Sequence, residues 1–140
     1  MQRKLTYDML GRSTLDITRD IDDIVRMADV DVGVCHVFCM HTSASLMICE
    51  NIDPAVRDDV ERWMQKTVVD GDPMFLHDME GPDDMSGHIR TMLTGVSLNV
   101  PVAEARLQLG TYQGIYLYEH RTASHRRQVM VTVLGAASGC

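Results

Sequence analysis

Residues 32–50 have the sequence VGVCHVFCMHTSASLMICE, and this stretch decides the fold. The segment Val32–Met40 is rich in valine, phenylalanine and cysteine, which predicts a buried central strand. Small polar residues from His41 to Ser45 interrupt it, and Leu46–Glu50 is predicted to be a second strand. Two buried strands separated by a polar break are therefore the expected centre of the fold.

Helices are predicted on both sides of this stretch. Apolar side chains at intervals of three and four residues predict a helix over Asp20–Ala28, and Pro54 after the capping residue Asp53 marks the start of a second. Met85–Thr94 is predicted to be the third, with Gly95 as its C-cap. The expected inward-facing side chains of the second and third helices are Val56, Val60, Trp63, Met64, Met85, Ile89, Met92 and Leu93.

The other apolar segments are predicted to be strands, and Val69–Asp84 is the longest irregular stretch. The predicted strands are Lys4–Met9, Thr14–Thr18, Val96–Val100, Glu104–Leu109, Gly114–His120 and Arg127–Leu134. Because strands outnumber helices, we expect an α+β fold that has a β-sandwich core of mixed or antiparallel strands and about three helices. A loop as long as the irregular stretch is often functional in a compact domain.

The length and composition of the chain limit its fold and its partners. Its 140 residues correspond to one domain, residues 1–140, and its net charge of −7 argues against nucleic acid as a partner. No apolar run approaches the about 20 residues that a membrane-crossing helix needs, so no membrane partner is expected. The N-terminus lacks an apolar signal segment, and the cysteines at positions 35, 39, 49 and 140 form no CxxC pair. These features predict a cytoplasmic protein with reduced, buried cysteines.

Six histidines require an explanation in this chain. The interpretation favoured for His36 is a core histidine that is hydrogen-bonded inside the sandwich. His41 lies where a buried strand gives way to polar residues, His77 lies in the long loop and His88 lies on the third helix. Three neutral imidazoles from three segments are a common ligand set for a divalent metal with an open coordination position. The spacing matches no short zinc signature, however, so unrelated surface or core histidines are the interpretation that the residues alone favour.

Several carboxylates lie in the same segments as these histidines. Helix capping accounts for Asp53 and for Asp83 or Asp84, each of which comes just before a predicted helix. Capping does not account for Glu50 or Glu80. Glu50 could orient a metal-bound histidine or act as a general base.

A basic hairpin stands out in this acidic chain. Arg121, Arg126 and Arg127 lie close together in the sequence, and arginines bind phosphate or carboxylate through paired hydrogen bonds. Salt bridges between subunits explain the same three residues equally well. Gln113, in the segment 110–114, could hydrogen-bond a ligand, although turn geometry alone explains the glycines around it.

Motifs along nearly the whole chain, from near Leu5 to near Gly135, resemble the YjbQ-like family of small uncharacterised proteins. They are HTSASL at 41–46 with ENIDPAVRDD at 50–59, HDMEGPDDMSGHI at 77–89, GVSL at 95–98 and GTYQGIYLYEHR at 110–121. The chain departs from the family pattern at Tyr112, where members often have tryptophan. It also departs around His125, which puts that histidine in doubt as a site residue.

The resemblance implies an α+β fold with a β-sandwich core, a homotrimer and a pocket near the subunit boundary. It also implies metal sites in some members and a secondary thiamine-phosphate synthase activity. In that reaction a pyrimidine methyl diphosphate joins a thiazole phosphate and pyrophosphate leaves, so the expected partner is a small phosphorylated substrate. The alternative is a non-catalytic trimer that binds a small ligand or a metal ion. Zinc is the expected cofactor because histidine ligands suit it, whereas Mg²⁺ would serve the synthase reaction.

The motif positions also imply roles for individual residues. His41, His77 and His88 match motif histidines and are the expected metal ligands. Glu50 and Glu80 are the expected catalytic carboxylates. Among the expected substrate-binding residues, Gln113, Glu119 and Arg127 match family positions. Thr42 and Ser43, next to His41, and Arg126 of the basic hairpin complete the expected set, in which Arg126 or Arg127 would hold an anionic group.

Overall fold

The computed structural model describes residues 1–137 and residue 139. In chain order its elements are β1 (Gln2–Met9), β2 (Ser13–Asp16), α1 (Thr18–Met27), β3 (Val32–Cys39), β4 (Ala44–Glu50), α2 (Pro54–Thr67), α3 (Asp84–Thr94), β5 (Ser97–Ala103), β6 (Arg106–Leu107), β7 (Gln113–Glu119) and β8 (His125–Ala136). One sheet contains five strands in the order β1-β8-β3-β5-β6, and the other contains three in the order β2-β7-β4. The paired strands are antiparallel. Two sheets with three helices confirm the predicted α+β class.

The hydrophobic core lies between the two sheets and α1. Along β3, Cys35 and Val37 are fully buried whereas Phe38 is 40% exposed, since successive side chains of a strand point to opposite faces. The buried positions of β8 follow the same period: Val129, Val131 and Val133. Strand β3 pairs with β8 on one side and β5 on the other, so the predicted central strand is confirmed.

Helix α2 begins where the sequence predicts it. The Asp53 side chain accepts a hydrogen bond from a backbone N–H two residues later at 2.9 Å, and Pro54 occupies the first helical turn. The predicted apolar stripe is only partly correct, because Trp63 is 56% exposed while Met64 is buried. The helix faces the small sheet with Glu61 and Met64, one turn apart, which leaves Trp63 on the solvent side.

Helix α3 buries a polar face, and the predicted inward positions are wrong for two residues. Met92 and Leu93 are 72% and 58% exposed. The buried residues of α3 are Asp84, Ser86, Gly87, Arg90 and Thr91. Gly87 allows a close approach to the polar break after β3, since a Cβ at this position would lie 3.4 Å from the Cβ of Ser43. Gly87 also packs next to His120, so α3 lies against polar residues of the protein. The polar side of the helix therefore faces inward.

His36 lies on the outer face of the five-stranded sheet, so the predicted core histidine is wrong. Its Nδ1 is 2.9 Å from Oδ1 of Asn99 on the neighbouring strand β5. Its neighbours Cys35 and Val37 both face the core, and strand periodicity therefore directs His36 outward.

The predicted strand Glu104–Leu109 is mostly a turn. Glu104 and Ala105 have φ angles of 52° and 54°, and this left-handed backbone separates β5 from the short β6. Only Arg106–Leu107 pairs with the preceding strand. A pattern of apolar residues alone does not reveal such a reversal of the chain.

Two of the cysteine predictions are confirmed. Cys35 and Cys39 are free and buried, whereas Cys49 is half-buried. Ser138 and Cys140 lie outside the described residues, and the prediction for Cys140 falls there. Within the described part of the chain, no helix is both long enough and apolar enough to cross a bilayer.

Candidate metal centre

Three potential metal ligands come together at His77, Asp84 and His88. One ligand atom of each residue lies within 4.8 Å of the others. Oδ2 of Asp84 is 2.7 Å from Nε2 of His77 and 3.0 Å from Nε2 of His88. The carboxylate is 2% exposed whereas His77 is 47% exposed, so the cluster faces solvent on its His77 side.

Local features of the sequence position this cluster. Asp84 and His88 are four residues apart on α3, so their side chains lie on one face, a single turn apart. His77 comes from the long irregular segment between α2 and α3. Arg121 fixes that segment, because its Nη2 donates a hydrogen bond to the carbonyl oxygen of Glu80 at 2.9 Å.

The hydrogen bonds of His88 determine which of its nitrogens carries a proton. Nδ1 lies 2.8 Å from the carbonyl oxygen of Thr42, which can only accept, so Nδ1 is the donor. In the neutral ring, Nε2 then directs a lone pair at the Asp84 carboxylate, 3.0 Å away. Two acceptors at this distance require either a cation beside them or a second proton on His88. A backbone carbonyl that accepts from the other ring nitrogen is the usual outer-shell partner of a metal-bound histidine.

Asp84 is held in its charged form. Burial by itself raises the pKa of a carboxyl group, but hydrogen bonding by His77 and the charges of His88 and Arg121 outweigh it and lower the pKa of Asp84. Arg121 donates from Nη1 to Oδ1 at 3.0 Å, which leaves Oδ2 to the histidines. Two imidazoles and a carboxylate fit Zn²⁺ or a related transition metal better than they fit Mg²⁺.

His41, the third predicted metal ligand, is not part of this cluster. Its Nε2 accepts a hydrogen bond from the backbone N–H of Gln128 at 2.7 Å. Burial, and next the charge of Arg127, lowers the pKa of His41, so its ring is neutral at neutral pH. His41 and His88 nevertheless line the same cleft.

This cleft adjoins the cluster because His88 forms part of its wall. Its volume is about 870 Å³, within the range of small-molecule sites. The end of β3, the start of the polar break, α3 and the following turn form its walls, which include Phe38, Met40, His41 and Met92.

The two predicted catalytic carboxylates lie at different ends of the small sheet. Oε2 of Glu80 is 4.0 Å from Nε2 of His77, and its side chain is 65% exposed at the rim of the cluster. Glu50 ends β4 opposite Gln113, whereas the start of β4 pairs with Glu119 near the cluster. The Glu50 carboxylate accepts the backbone N–H groups of residues 52 and 53, so it stabilises the turn before α2.

Three of the predicted substrate-binding residues form one buried network. Arg127 donates to both carboxylate oxygens of Glu119, at 2.5 and 2.6 Å, and to Oγ of Ser43 at 3.0 Å. Glu119 is 0% exposed and Arg127 is 5% exposed. These groups use their hydrogen bonds to hold β7, β8 and the polar break together.

The other predicted substrate-binding residues lie apart from one another. Thr42 lines the cleft, and its carbonyl oxygen accepts from His88. Gln113 lies at the far end of β7, where its Oε1 accepts a backbone N–H of the preceding turn. Arg126 is exposed and pairs with an exposed aspartate. Among the three hairpin arginines, Arg121 is the one that reaches the cluster.

The family model described as UPF0047 protein YjbQ-like matches residues 4–136 of the chain. The chain belongs to the YjbQ/UPF0047 family. It is 45% identical to UPF0047 protein YjbQ of Salmonella typhimurium over 96% of this chain and 97% of that protein. A UPF0047 protein of Synechocystis is 42% identical over 96% of this chain and 91% of the relative.

Solved structures of proteins from other organisms share this fold. An uncharacterized conserved protein of the family from Clostridium acetobutylicum has a TM-score of 0.87 at 30% identity, and the match covers 94% of this chain and 99% of that one. A conserved hypothetical protein from Thermus thermophilus has a TM-score of 0.84 at 26% identity, with the same coverage. The resemblance found in the motifs is therefore confirmed for family and for fold.

Asp84 is the cluster residue that the sequence did not predict. Helix capping was its expected role, yet α3 has no side-chain cap, and Asp83 accepts hydrogen bonds from Thr122 instead. The capping prediction is thus correct for Asp53 and wrong for these two residues. The four-residue spacing between Asp84 and His88 was the available signal, because it places both on one helix face.

Proposed function

We propose that this YjbQ/UPF0047 protein binds a divalent transition-metal ion, zinc first, through His77, Asp84 and His88 and uses it to bind and transform a small molecule. The observation that carries the proposal is geometric: Oδ2 of Asp84 lies 2.7 Å from Nε2 of His77 and 3.0 Å from Nε2 of His88, whose Nδ1 donates to the carbonyl oxygen of Thr42. A metal ion at this point would satisfy the carboxylate and both Nε2 atoms. When bound there, zinc would supply Lewis acidity to a substrate oxygen or lower the pKa of a coordinated water.

Two charged neighbours support a phosphorylated substrate. Asp84 and Arg121 form an ion pair at 3.0 Å, so the charge of the carboxylate is already balanced by the guanidinium. A dication bound at the cluster would therefore remain positively charged overall and attract an anionic group such as a phosphate. Glu80 lies at the exposed rim, where its carboxylate can accept a proton from a group bound at the cluster. Glu80 is therefore favoured over Glu50 as the proton acceptor.

Thiamine-phosphate synthase activity is the more specific proposal, and it rests on the family resemblance. The anion-binding character of the cluster supports it, whereas two imidazole ligands argue against the Mg²⁺ ion expected for diphosphate chemistry. We therefore expect any such activity to be secondary and to depend on zinc. A synthase assay on zinc-loaded and magnesium-loaded protein tests this, and activity that is unchanged in His88→Ala would contradict it.

A homotrimer is the assembly that we propose. The outer face of the five-stranded sheet exposes the apolar side chains of Val32, Val34 and Leu134, each 36% to 61% exposed. Val34 and Leu134 are directly opposite each other in the β3–β8 register, so these side chains form one patch. Contiguous exposed apolar patches mark protein interfaces more often than free surface.

The decisive experiment measures metal content in protein purified without an affinity tag. We expect one zinc ion per chain in the wild type, and its loss in His77→Ala, Asp84→Asn and His88→Ala. His125→Ala, in a hairpin outside the cluster, is the matched control and should retain the metal. The His41→Ala variant should also retain it, whereas metal loss in this variant would restore His41 to the ligand set. Full metal content in all three cluster variants would overturn the proposal.

A further inference from the structure

The cleft beside the cluster has a chemical character different from that of the cluster. We propose that this cleft holds an uncharged, mainly apolar body of the ligand, such as a single ring, that carries a hydrogen-bond acceptor. The inference extends the proposed function, on which it rests for the metal-binding head of the same ligand. His88 connects the two regions, because it belongs to the cluster and to the wall of the cleft.

The walls of the cleft favour an apolar ligand body. Phe38, Met40, Met92 and Val96 are apolar lining residues, and the lining includes no aspartate, glutamate, lysine or arginine. Methionine side chains are flexible and polarizable, so they adapt to the outline of a ring. An anionic group in this cleft would lose hydration without gaining a counter-charge, which costs free energy. The charged part of a ligand therefore belongs at the metal cluster and its uncharged part in the cleft.

Two residues that line the cleft, His41 and Thr91, each have a polar group without a hydrogen-bond partner within the described residues. Nε2 of His41 accepts a backbone N–H, so the proton of the neutral ring is on Nδ1, which makes no hydrogen bond there. Thr91 is 5% exposed, and its Oγ1 has no hydrogen-bond partner. A buried hydroxyl without a partner is unfavourable by about 1–3 kcal/mol, and native proteins seldom leave one unused. A hydrogen-bond acceptor of the ligand would satisfy the Nδ1–H group of His41. A polar group at the edge of the same ligand ring would satisfy the hydroxyl group of Thr91.

The methionines allow a direct test. The full-length chain is labelled at its methionine methyl groups and titrated with benzamide, an uncharged ring with a carbonyl acceptor, and in parallel with benzenesulfonate. We expect benzamide to shift the signals of Met40 and Met92 in a saturable manner and to leave those of Met74 and Met79, exposed in the long loop, unchanged. In protein treated with a chelator, benzenesulfonate should bind at least tenfold more weakly than benzamide, because no cation is then present beside the cleft to pair with the sulfonate.

Matched variants test the role of each wall. Met92→Glu should weaken benzamide at least tenfold, whereas Met79→Glu, at another exposed methionine, should not change it. Thr91→Val removes a hydroxyl that has no partner in the free protein, so it should preserve the melting temperature and weaken benzamide several-fold. Chelator-treated wild-type protein should bind benzamide as tightly as untreated protein, so failure of the metal proposal and failure of this one give different results.

Three results would overturn the inference. The first is benzenesulfonate binding as tightly as benzamide to chelator-treated protein. The second is the absence of any shift at Met40 and Met92 up to the solubility of benzamide. The third is a fall in oligomeric mass in Met92→Glu without an effect on benzamide, which would assign the cleft to contact with a second copy of the chain.

Discussion

Arg121 binds one oxygen of Asp84 while the other oxygen faces two histidines. Nη1 of Arg121 is 3.0 Å from Oδ1 of Asp84, and Nη2 of the same guanidinium holds the carbonyl oxygen of Glu80 in the loop that carries His77. A single side chain therefore orients the carboxylate and fixes the loop. Arg121 is a positioning residue for the cluster.

Removing Arg121 should weaken zinc binding without abolishing it. Outer-shell partners typically contribute about ten- to hundred-fold to metal affinity, so Arg121→Gln should raise the dissociation constant for zinc by about tenfold or more, measured against a competing chelator. Arg121→Lys keeps the charge and should recover part of the affinity. Arg126→Gln is the matched control on the same hairpin, and equal zinc affinity in Arg121→Gln and Arg126→Gln would refute the assignment.

The Glu119–Arg127 pair should be important for stability. Both side chains are buried, so Arg127→Met leaves an uncompensated carboxylate, and breaking such a pair costs about 3–5 kcal/mol of the free energy of unfolding. The double variant Glu119→Leu with Arg127→Met should be more stable than Arg127→Met alone, because no charge is then left unpaired. Urea unfolding measures both. Arg126→Met, which breaks the exposed pair with Asp8, should have little effect.

Protonation of His120 should destabilise the fold in acid. His120 is fully buried with Nε2 at 2.7 Å from Oγ of Ser45, and burial, followed by the charge of Arg90, lowers its pKa from 6.5 to about 3. Between these values the unfolded chain binds a proton that the folded chain does not. The contribution of neutral His120 to the free energy of unfolding is therefore complete above pH 6.5. It is lost as the pH falls towards 3, by up to about 1.4 kcal/mol per pH unit.

Urea unfolding between pH 4 and pH 7 tests the pH dependence. The difference in free energy of unfolding between wild type and His120→Gln should decrease as the pH falls, whereas His125→Gln should follow the wild type. An NMR titration of the His120 ring in the folded protein is an independent measurement, and a pKa near 6.5 there would contradict the prediction.

The apolar patch on the outer face should control assembly. Val34→Glu and Leu134→Glu each place a charge in the centre of this patch, so either should convert the proposed trimer to smaller species in sedimentation equilibrium. Leu76→Glu changes a leucine that is 98% exposed in the long loop and should leave the mass unchanged. A wild-type chain that sediments as a monomer would contradict the proposed assembly.

The parts of the structure that depend on residues adjacent in the sequence were predictable from the sequence. The start of α2 follows from Asp53 and Pro54, and the central strand follows from its run of valine and cysteine. Which face of a helix points inward was less predictable, because it depends on the surface of the protein against which that helix packs. Met92 faces outward because α3 packs against polar groups, and nothing in the helix itself reveals this.

The candidate site shows the same limit. His77 and His88 were predicted from motif positions, and both lie in the cluster. His41 and Asp84 differ from expectation because side-chain partners from distant segments decide their roles: Gln128 takes one nitrogen of His41, and Arg121 orients Asp84. Such partners become visible only when the strands and the loop are assembled.

The polar face of α3 has a consequence for local opening. Lifting this helix off the small sheet would break ion pairs and hydrogen bonds but expose little apolar surface, so the opening would carry a small heat-capacity change and a shallow dependence on urea. In native-state hydrogen exchange, α3 would then behave as a unit of its own, distinct from the central strands β3 and β8, whose core side chains are fully buried. Because Asp84 and His88 both lie on this helix, an ion that binds them would slow exchange in α3 and leave exchange in the strands almost unchanged.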